Sequence, residues 1–203
     1  MTQAPPWILE IRARLEREWV VPDVVREIAE GTPDARPAAV LVPLYVRERE
    51  LWTLFTKRSE AVETHKGQIA FPGGMEALDD ASPWETAVRE TEEEIGVPRK
   101  SILRLGTLPE VVTLTGFRIR PFVGAIPWPF AFREDSREVA AVIEMPIRVL
   151  LGPTLVEERG VAWKGRTIPT PVYHVKGHVI WGATAFLLAS LLEALTDEGR
   201  PPA

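Results

Sequence analysis

GGMEALDDASPWETAVRETEEEIGV, residues 73–97, carries the densest chemistry of the 203-residue chain, and its reading decides the fold. Ser82 reads as a helix N-cap, Glu85 as its capping-box partner, and Gly96 followed by Pro98 as the stop, so a helix is expected over 83–96. At about 100° per residue, Glu90, Glu93 and Glu94 share one wedge of ~100°, while Glu92 points the other way. Val88, Thr91 and Ile95 form a separate stripe that suits a sheet. Glu85 lies four residues before Arg89, a spacing that allows an ion pair. Three carboxylates on one face repel one another. The plain reading of such a run is a solvated acidic face. The alternative is a hard cation among them, because Mg²⁺ prefers a few carboxylate oxygens together with water and phosphate. The preceding FPGG (71–74) ends a short strand. Its glycine pair permits a tight turn and offers carbonyls or amides to a metal or phosphate.

Working outward, residues 6–30 carry apolar positions at helical spacing, and Pro22 divides them into two helices. AAVLVPLYV (38–46) and LWTLFTKR (51–58) read as a β-hairpin turned at the charged RERE, and 67–74 as a short strand entering a loop. Further strands are expected at 102–108, 117–126, 138–144, 154–163 and 170–175, and a closing helix from Gly182 to Leu195. The fold class is α+β, with a mixed sheet between helices. Two units are expected, an N-terminal helical extension over 1–37 and one domain over 38–203.

Composition removes several classes. No cysteine is present, which excludes disulfides, Cys-ligated zinc, iron–sulfur clusters and thiolate catalysis. The net charge of −5 argues against a nucleic-acid surface. The apolar stretch Val179–Leu192 is shorter than the ~20 residues that a bilayer needs and reads as a buried helix. With no signal-like N-terminus, no membrane association and a cytoplasmic location are expected.

Gly74, Arg89, Glu90, Glu93, Glu94, Gly96 and Val97 resemble the Nudix box, G-x5-E-x7-R-E-U-x-E-E-x-G-U, where U is aliphatic. The Gly74–Arg89 spacing is one residue longer than the pattern, Ala81 stands eight before Arg89 in place of Glu, and Thr91 replaces an aliphatic residue. The resemblance implies the Nudix fold, a mixed β-sheet sandwiched between α-helices. It also implies hydrolysis of a pyrophosphate bond by water with two or more Mg²⁺ or Mn²⁺ ions. Glu90 and Glu94 are then metal ligands, Glu93 a further ligand or the general base, and the Gly74 carbonyl an additional ligand. Arg89 becomes a clamp that aims the glutamates through Glu85 or Glu93. Glu138, on a loop, is the alternative base.

LFTKRSEAVETHKGQIAFPGG (54–74) resembles the coenzyme A pyrophosphatase signature L-L-T-x-R-S-x3-R-x3-G-x3-F-P-G-G. Phe55 departs mildly from it. Glu63 stands where the signature has Arg, a charge reversal expected to weaken CoA binding unless Lys66 or Lys57 compensates. Substrate contacts implied by this likeness are Arg58, Ser59, Lys57, Lys66, Gly73 and Phe71, and the products would be 3′,5′-ADP and 4′-phosphopantetheine. Arg118 and Arg120 alternate on one face of a strand and suit phosphate oxygens. Pro127-Trp128-Pro129-Phe130 is similar to the core of an NADH-pyrophosphatase motif but lacks its flanks; Trp128 is a candidate to stack on adenine. His174 and His178 read as a surface pair. ADP-ribose or NADH are alternative substrates, and a non-catalytic nucleotide-sensing domain is the alternative class. The N-terminal helices are candidates for covering the sheet, closing the cleft or joining a homodimer.

Overall fold

The computed structural model describes residues 5–60, 67–152 and 156–196. Lys66 and Glu63 lie outside the described residues. The N-terminal run forms α1 (Pro6–Leu15) and α2 (Asp23–Glu30), interrupted where Pro22 forces extended backbone. The hairpin follows as β1 (Arg36–Arg47) and β2 (Glu50–Arg58), turned through Glu48 and Arg49 at positive φ. β3 (Ile69–Ala70) and β4 (Gly73–Met75) lead into α3 (Pro83–Ile95). Then come β5 (Leu103–Thr107), β6 (Val111–Val112), β7 (Phe117–Ala125), β8 (Val139–Pro146) and the short α4 (Ile147–Leu150). The chain continues with β9 (Val156–Trp163), β10 (Arg166–Val175), β11 (His178–Ile180) and α5 (Gly182–Leu195). The strand expected at 170–175 begins earlier, at Arg166, because its first half pairs with β9 across the turn at Lys164 and Gly165.

β1 pairs in parallel with β7 and antiparallel with β2, which makes the sheet mixed. Its order is β3-β2-β1-β7-β5, with β4 also on β1, β6 on β7 and β8 on β2. A separate antiparallel sheet runs β11-β10-β9.

Period-two alternation sorts the core into two layers. From β1, Ala39, Leu41 and Tyr45 pack with Ala87, Val88 and Ile95 of α3. Val42 and Leu44 face the opposite layer, with Ile8, Ile11 and Leu15 of α1 and Leu187, Leu188 and Leu191 of α5. Helices therefore lie on both faces of the sheet, and α1 seals one of them as part of the common core. The Val179–Leu192 stretch supplies the end of β11 and most of the buried face of α5. Among the described residues no helix is long and apolar enough to cross a membrane.

The stripe predicted on α3 faces the sheet, with Val88, Thr91 and Ile95 all buried. Thr91 fits an apolar position because its Oγ1 donates to the Ala87 carbonyl at 2.7 Å, so no polar atom is left unsatisfied. Ser82 Oγ accepts from the Glu85 N–H at 3.3 Å and caps the helix. Gly96 takes the left-handed conformation at φ 76° and ends it.

Candidate active site

The wedge of α3 opposite its apolar stripe carries Glu90, Glu93 and Glu94, and the surrounding chain is built to hold them. β4 runs antiparallel to β1 beside α3, pairing Ala39 with Gly74 and Val40 with Gly73. A Cβ on Gly74 would meet both Glu90 carboxylate oxygens at 2.6 Å. Only glycine admits the carboxylate at this point, so the backbone and Glu90 form one tight corner. The Gly73 N–H donates to Glu94, whose side chain is almost wholly buried. Gly73 thus orients a glutamate, and its own Cβ position is closed by the Val40 Cα at 2.6 Å.

Arg89 is the clamp, and its principal partner is Asp80. Arg89 Nε donates to Asp80 Oδ1 and Nη2 to Oδ2, both at 2.9 Å, a bidentate pair. Nη1 reaches Glu90 Oε1 at 2.8 Å and Glu93 Oε2 at 3.0 Å. Asp80 is fixed in turn by Thr86 Oγ1 at 2.7 Å and the Ala77 N–H at 2.9 Å. These bonds, those from Arg89 first, hold the Asp80 carboxyl well below the usual carboxylate range. Of the two partners expected for Arg89, Glu93 is in contact with it, and among the described residues Glu85 is not. Counting back from Arg89 finds only Ala81, but six residues forward from Gly74 stands Asp80. The longer spacing is absorbed after the acidic position, and Asp80 was the residue that the sequence reading missed.

At the other end of α3 lies the connection from β7 to β8. The Arg133 N–H donates to the Ile95 carbonyl and the Asp135 N–H to the Glu94 carbonyl, both at 3.0 Å, satisfying the exposed end of the helix. The Ser59 N–H donates to the Glu138 carbonyl at 2.8 Å, tying the same loop to the end of β2. Glu138 is exposed, yet its charge acts on both Glu90 and Glu94. The neighbouring Arg58 acts on Glu94 with the opposite sign. Burial first, then the Glu90 charge, pushes the Glu94 carboxyl up to about 8. Burial also raises Glu90, against the pull of Arg89. Among the described residues, Glu94 Oε2 and Arg58 Nε are both buried without a hydrogen-bond partner. The last turn of a helix favours cations, so the buried Glu94 there is doubly costly without a counter-charge.

Hard oxygen donors, a buried carboxylate oxygen without a partner and a glycine corner against Glu90 together fit a divalent cation such as Mg²⁺ or Mn²⁺. Glu90 and Glu94, with Glu93 beside them, are the residues that could hold it. Among the described residues no three acidic or histidine side chains yet converge as a ligand set, since Arg89 engages one oxygen each of Glu90 and Glu93.

Several other expectations are corrected. Phe71 is buried and stacks on Phe55 at 4.7 Å between ring centres, so it is a core residue with no face for a substrate. Arg118 and Arg120 both pair with Glu110, at 2.8 and 3.2 Å, and Arg120 also with Glu76 at 3.7 Å. Trp128 stacks on Tyr45 at 4.9 Å with Arg47 over its ring, at the end of β1 remote from Gly73. It packs the core and is not placed to hold adenine. Ser59 is buried, and Lys57 is exposed at the end of β2. Glu92, by contrast, points away from the wedge as its spacing implies, and pairs with Arg99 at 2.6 Å.

A profile of the NUDIX domain matches residues 35–163. An uncharacterized Nudix hydrolase NudL from Enterobacter sp. (strain 638) is 36% identical over 156 residues, covering 77% of this chain and 81% of that protein. Its counterpart from Escherichia coli (strain K12 / DH10B) is 35% identical over 165 residues, covering 81% and 85%. Among solved structures, a MutT/nudix family protein from Enterococcus faecalis superimposes with a TM-score of 0.50 at 12% identity, over 96% of this chain and 75% of that one, a likeness of fold alone. The chain belongs to the Nudix hydrolase family, whose members act on small-molecule nucleotide substrates and generally use divalent metal ions.

Proposed function

We propose that this Nudix hydrolase cleaves the pyrophosphate bond of coenzyme A or its acyl derivatives, giving 3′,5′-ADP and 4′-phosphopantetheine. The observation that carries this reading is Arg58, a partly buried guanidinium with an unpartnered Nε beside the buried Glu94. It belongs to the segment LFTKRS…GQIAFPGG that resembles the coenzyme A pyrophosphatase signature. A guanidinium whose Nε has no hydrogen-bond partner among the described residues suits a phosphate oxygen arriving above the carboxylates.

Divalent metal held by Glu90 and Glu94, with Glu93 as a further ligand, would neutralise the pyrophosphate and acidify water. The protein's own groups do the rest. Arg58 grips a pyrophosphate oxygen and turns the phosphorus toward the wedge. The Asp80–Arg89 pair fixes the rotamers of Glu90 and Glu93, and the Gly73 N–H fixes Glu94. Glu138 is the general base: its carboxylate is exposed and close enough to influence Glu90 and Glu94, whereas Glu93 Oε2 is engaged by Arg89. The attacking water loses its proton to Glu138 as its oxygen joins phosphorus, and the bridging oxygen leaves with the other phosphate.

The test is a product assay on coenzyme A with Mg²⁺, with Mn²⁺ and with neither. Metal-dependent release of 3′,5′-ADP supports the proposal. Intact coenzyme A alongside cleaved ADP-ribose or NADH would move the substrate and direct attention to Glu63. Binding of a nucleotide without cleavage of any would favour a sensing domain.

A further inference from the structure

On the edge of the sheet, β2, β3 and β11 enclose an open cavity of about 400 Å³. Its walls include Lys57, Gln68, His178, Val179 and Trp181. Trp181 is 50% exposed and Val179 42%, so a flat aromatic surface and an aliphatic neighbour stand open to solvent at the rim. Large apolar side chains exposed together around a concavity mark binding surfaces more often than chance placement. Two nitrogen donors share the cavity. Among the described residues, neither the Lys57 ammonium nor the His178 imidazole has a hydrogen-bond or ion-pair partner.

The cavity is joined to the catalytic wedge by a single peptide. Lys57 lines the cavity while Arg58, the next residue, acts on Glu94. Successive strand residues point to opposite faces, and the pairing of β2 with β8 shifts register between these two. Their Cα atoms are ~3.8 Å apart. A ligand with phosphate on Arg58 therefore needs only to bend around the short edge strand β3 to put a second charged group on Lys57.

We infer that this cavity binds the nucleotide end of the substrate, a purine nucleoside carrying its own phosphate monoester, with the base on Trp181 and the monoester on Lys57 and His178. The inference rests on the reading of coenzyme A as substrate and deepens it. The opposite arm of that substrate, pantetheine, is flexible and uncharged, and offers neither a flat ring to Trp181 nor an anion to the two donors. Purine stacking on an exposed indole and charge-assisted bonds to a phosphate monoester use every open group on the wall. This assignment gives roles to His178 and Trp181, neither of which belongs to the Nudix box or to the signature upstream of it.

The test is direct binding to the full chain without metal, by calorimetry, using 3′,5′-ADP and 5′-AMP as probes. W181A is expected to weaken both ligands at least tenfold. The double variant K57A/H178A is expected to weaken 3′,5′-ADP at least tenfold and to leave 5′-AMP within twofold, because only the former carries the extra phosphate. All three side chains are partly or largely exposed, and unchanged melting temperatures would show that the variants fold. Absent binding of 3′,5′-ADP to the wild type, or affinities unmoved by either variant, overturns the inference, as does tight metal-free binding of 4′-phosphopantetheine that W181A abolishes. Failure of the substrate reading gives a different result: coenzyme A stays intact with Mg²⁺ while 3′,5′-ADP still binds and the variants still lose it.

Discussion

Two arginines, Arg89 within α3 and Arg58 at the end of β2, meet the same acidic wedge in opposite ways. Arg89 spends its donors on Asp80, Glu90 and Glu93, and Asp80 is further braced by Thr86 and the Ala77 N–H. Arg58 sits across from Glu94 with its Nε buried and unpartnered, and Glu94 keeps Oε2 buried and unpartnered as well. The first region is complete in the protein alone, and the second is complete only with something added. Satisfied buried ions hold a shape, while unsatisfied ones store a cost that a ligand relieves. On this account the Asp80–Arg89 end is scaffold and the Glu94–Arg58 end is the working site.

The comparison can be broken most sharply at Glu94. E94Q removes the ionisable carboxyl while keeping its shape. Pyrophosphatase activity is expected to fall by ~10²–10³ or more in kcat, read by steady-state kinetics. The same substitution is expected to raise, not lower, the melting temperature of the metal-free protein.

Next in size is the scaffold. D80A leaves Arg89, itself only partly buried, without its bidentate partner, and the lost charge-assisted bonds are expected to cost about 1–3 kcal/mol, measurable by denaturant unfolding. Its kinetic effect is indirect, through Glu90 and Glu93, and is expected at about 10–100-fold. A D80A protein as stable as wild type would undo the division between scaffold and site.

pH separates the two ends by sign. The folded Glu94 carboxyl lies at about 8 against an ordinary 4.5, so its stabilising, protonated state is fully present below 4.5 and is lost as pH rises through 8. Asp80 is lowered instead, so its contribution is present above the ordinary 3.8 and vanishes on acidification. Metal-free wild type is therefore expected to melt progressively below E94Q between pH 5 and pH 8.5, by about 2–4 °C per kcal/mol lost, with the two converging near pH 5. Parallel melting curves would contradict the assignment. The smallest effect is expected at Thr91, where T91V should change stability by less than ~1 kcal/mol and leave activity unaltered, because the Ala87 carbonyl keeps its helical bond.

Much of this was legible in the sequence where the signal is local. The cap at Ser82, the stop at Gly96, the buried stripe Val88–Thr91–Ile95 and the acidic wedge follow from spacing along one helix. Pro22 and the hairpin around 47–50 follow from backbone chemistry. What the sequence hid is tertiary pairing. Arg118 and Arg120 look like phosphate ligands until Glu110 is seen to occupy them both. Phe71 sits in a motif but serves the core, and Trp128 sits in a loop but stacks inside it. Asp80 was recoverable by counting forward from Gly74 as well as back from Arg89. His178 and Trp181 belong to no motif, and only the approach of β11 to β3 brings them beside Lys57.

The central claim is that Glu94 is held protonated, with its Oε2 unpartnered among the described residues, until a divalent cation replaces the proton. Calorimetric titration of the metal-free protein with Mn²⁺ at pH 7, repeated in two buffers of different ionisation enthalpy, measures this directly. The account predicts release of close to one proton per functional site in the wild type, and both weaker binding and loss of that proton release in E94Q. Mn²⁺ binding with no proton release, or equal affinity in E94Q, would contradict it.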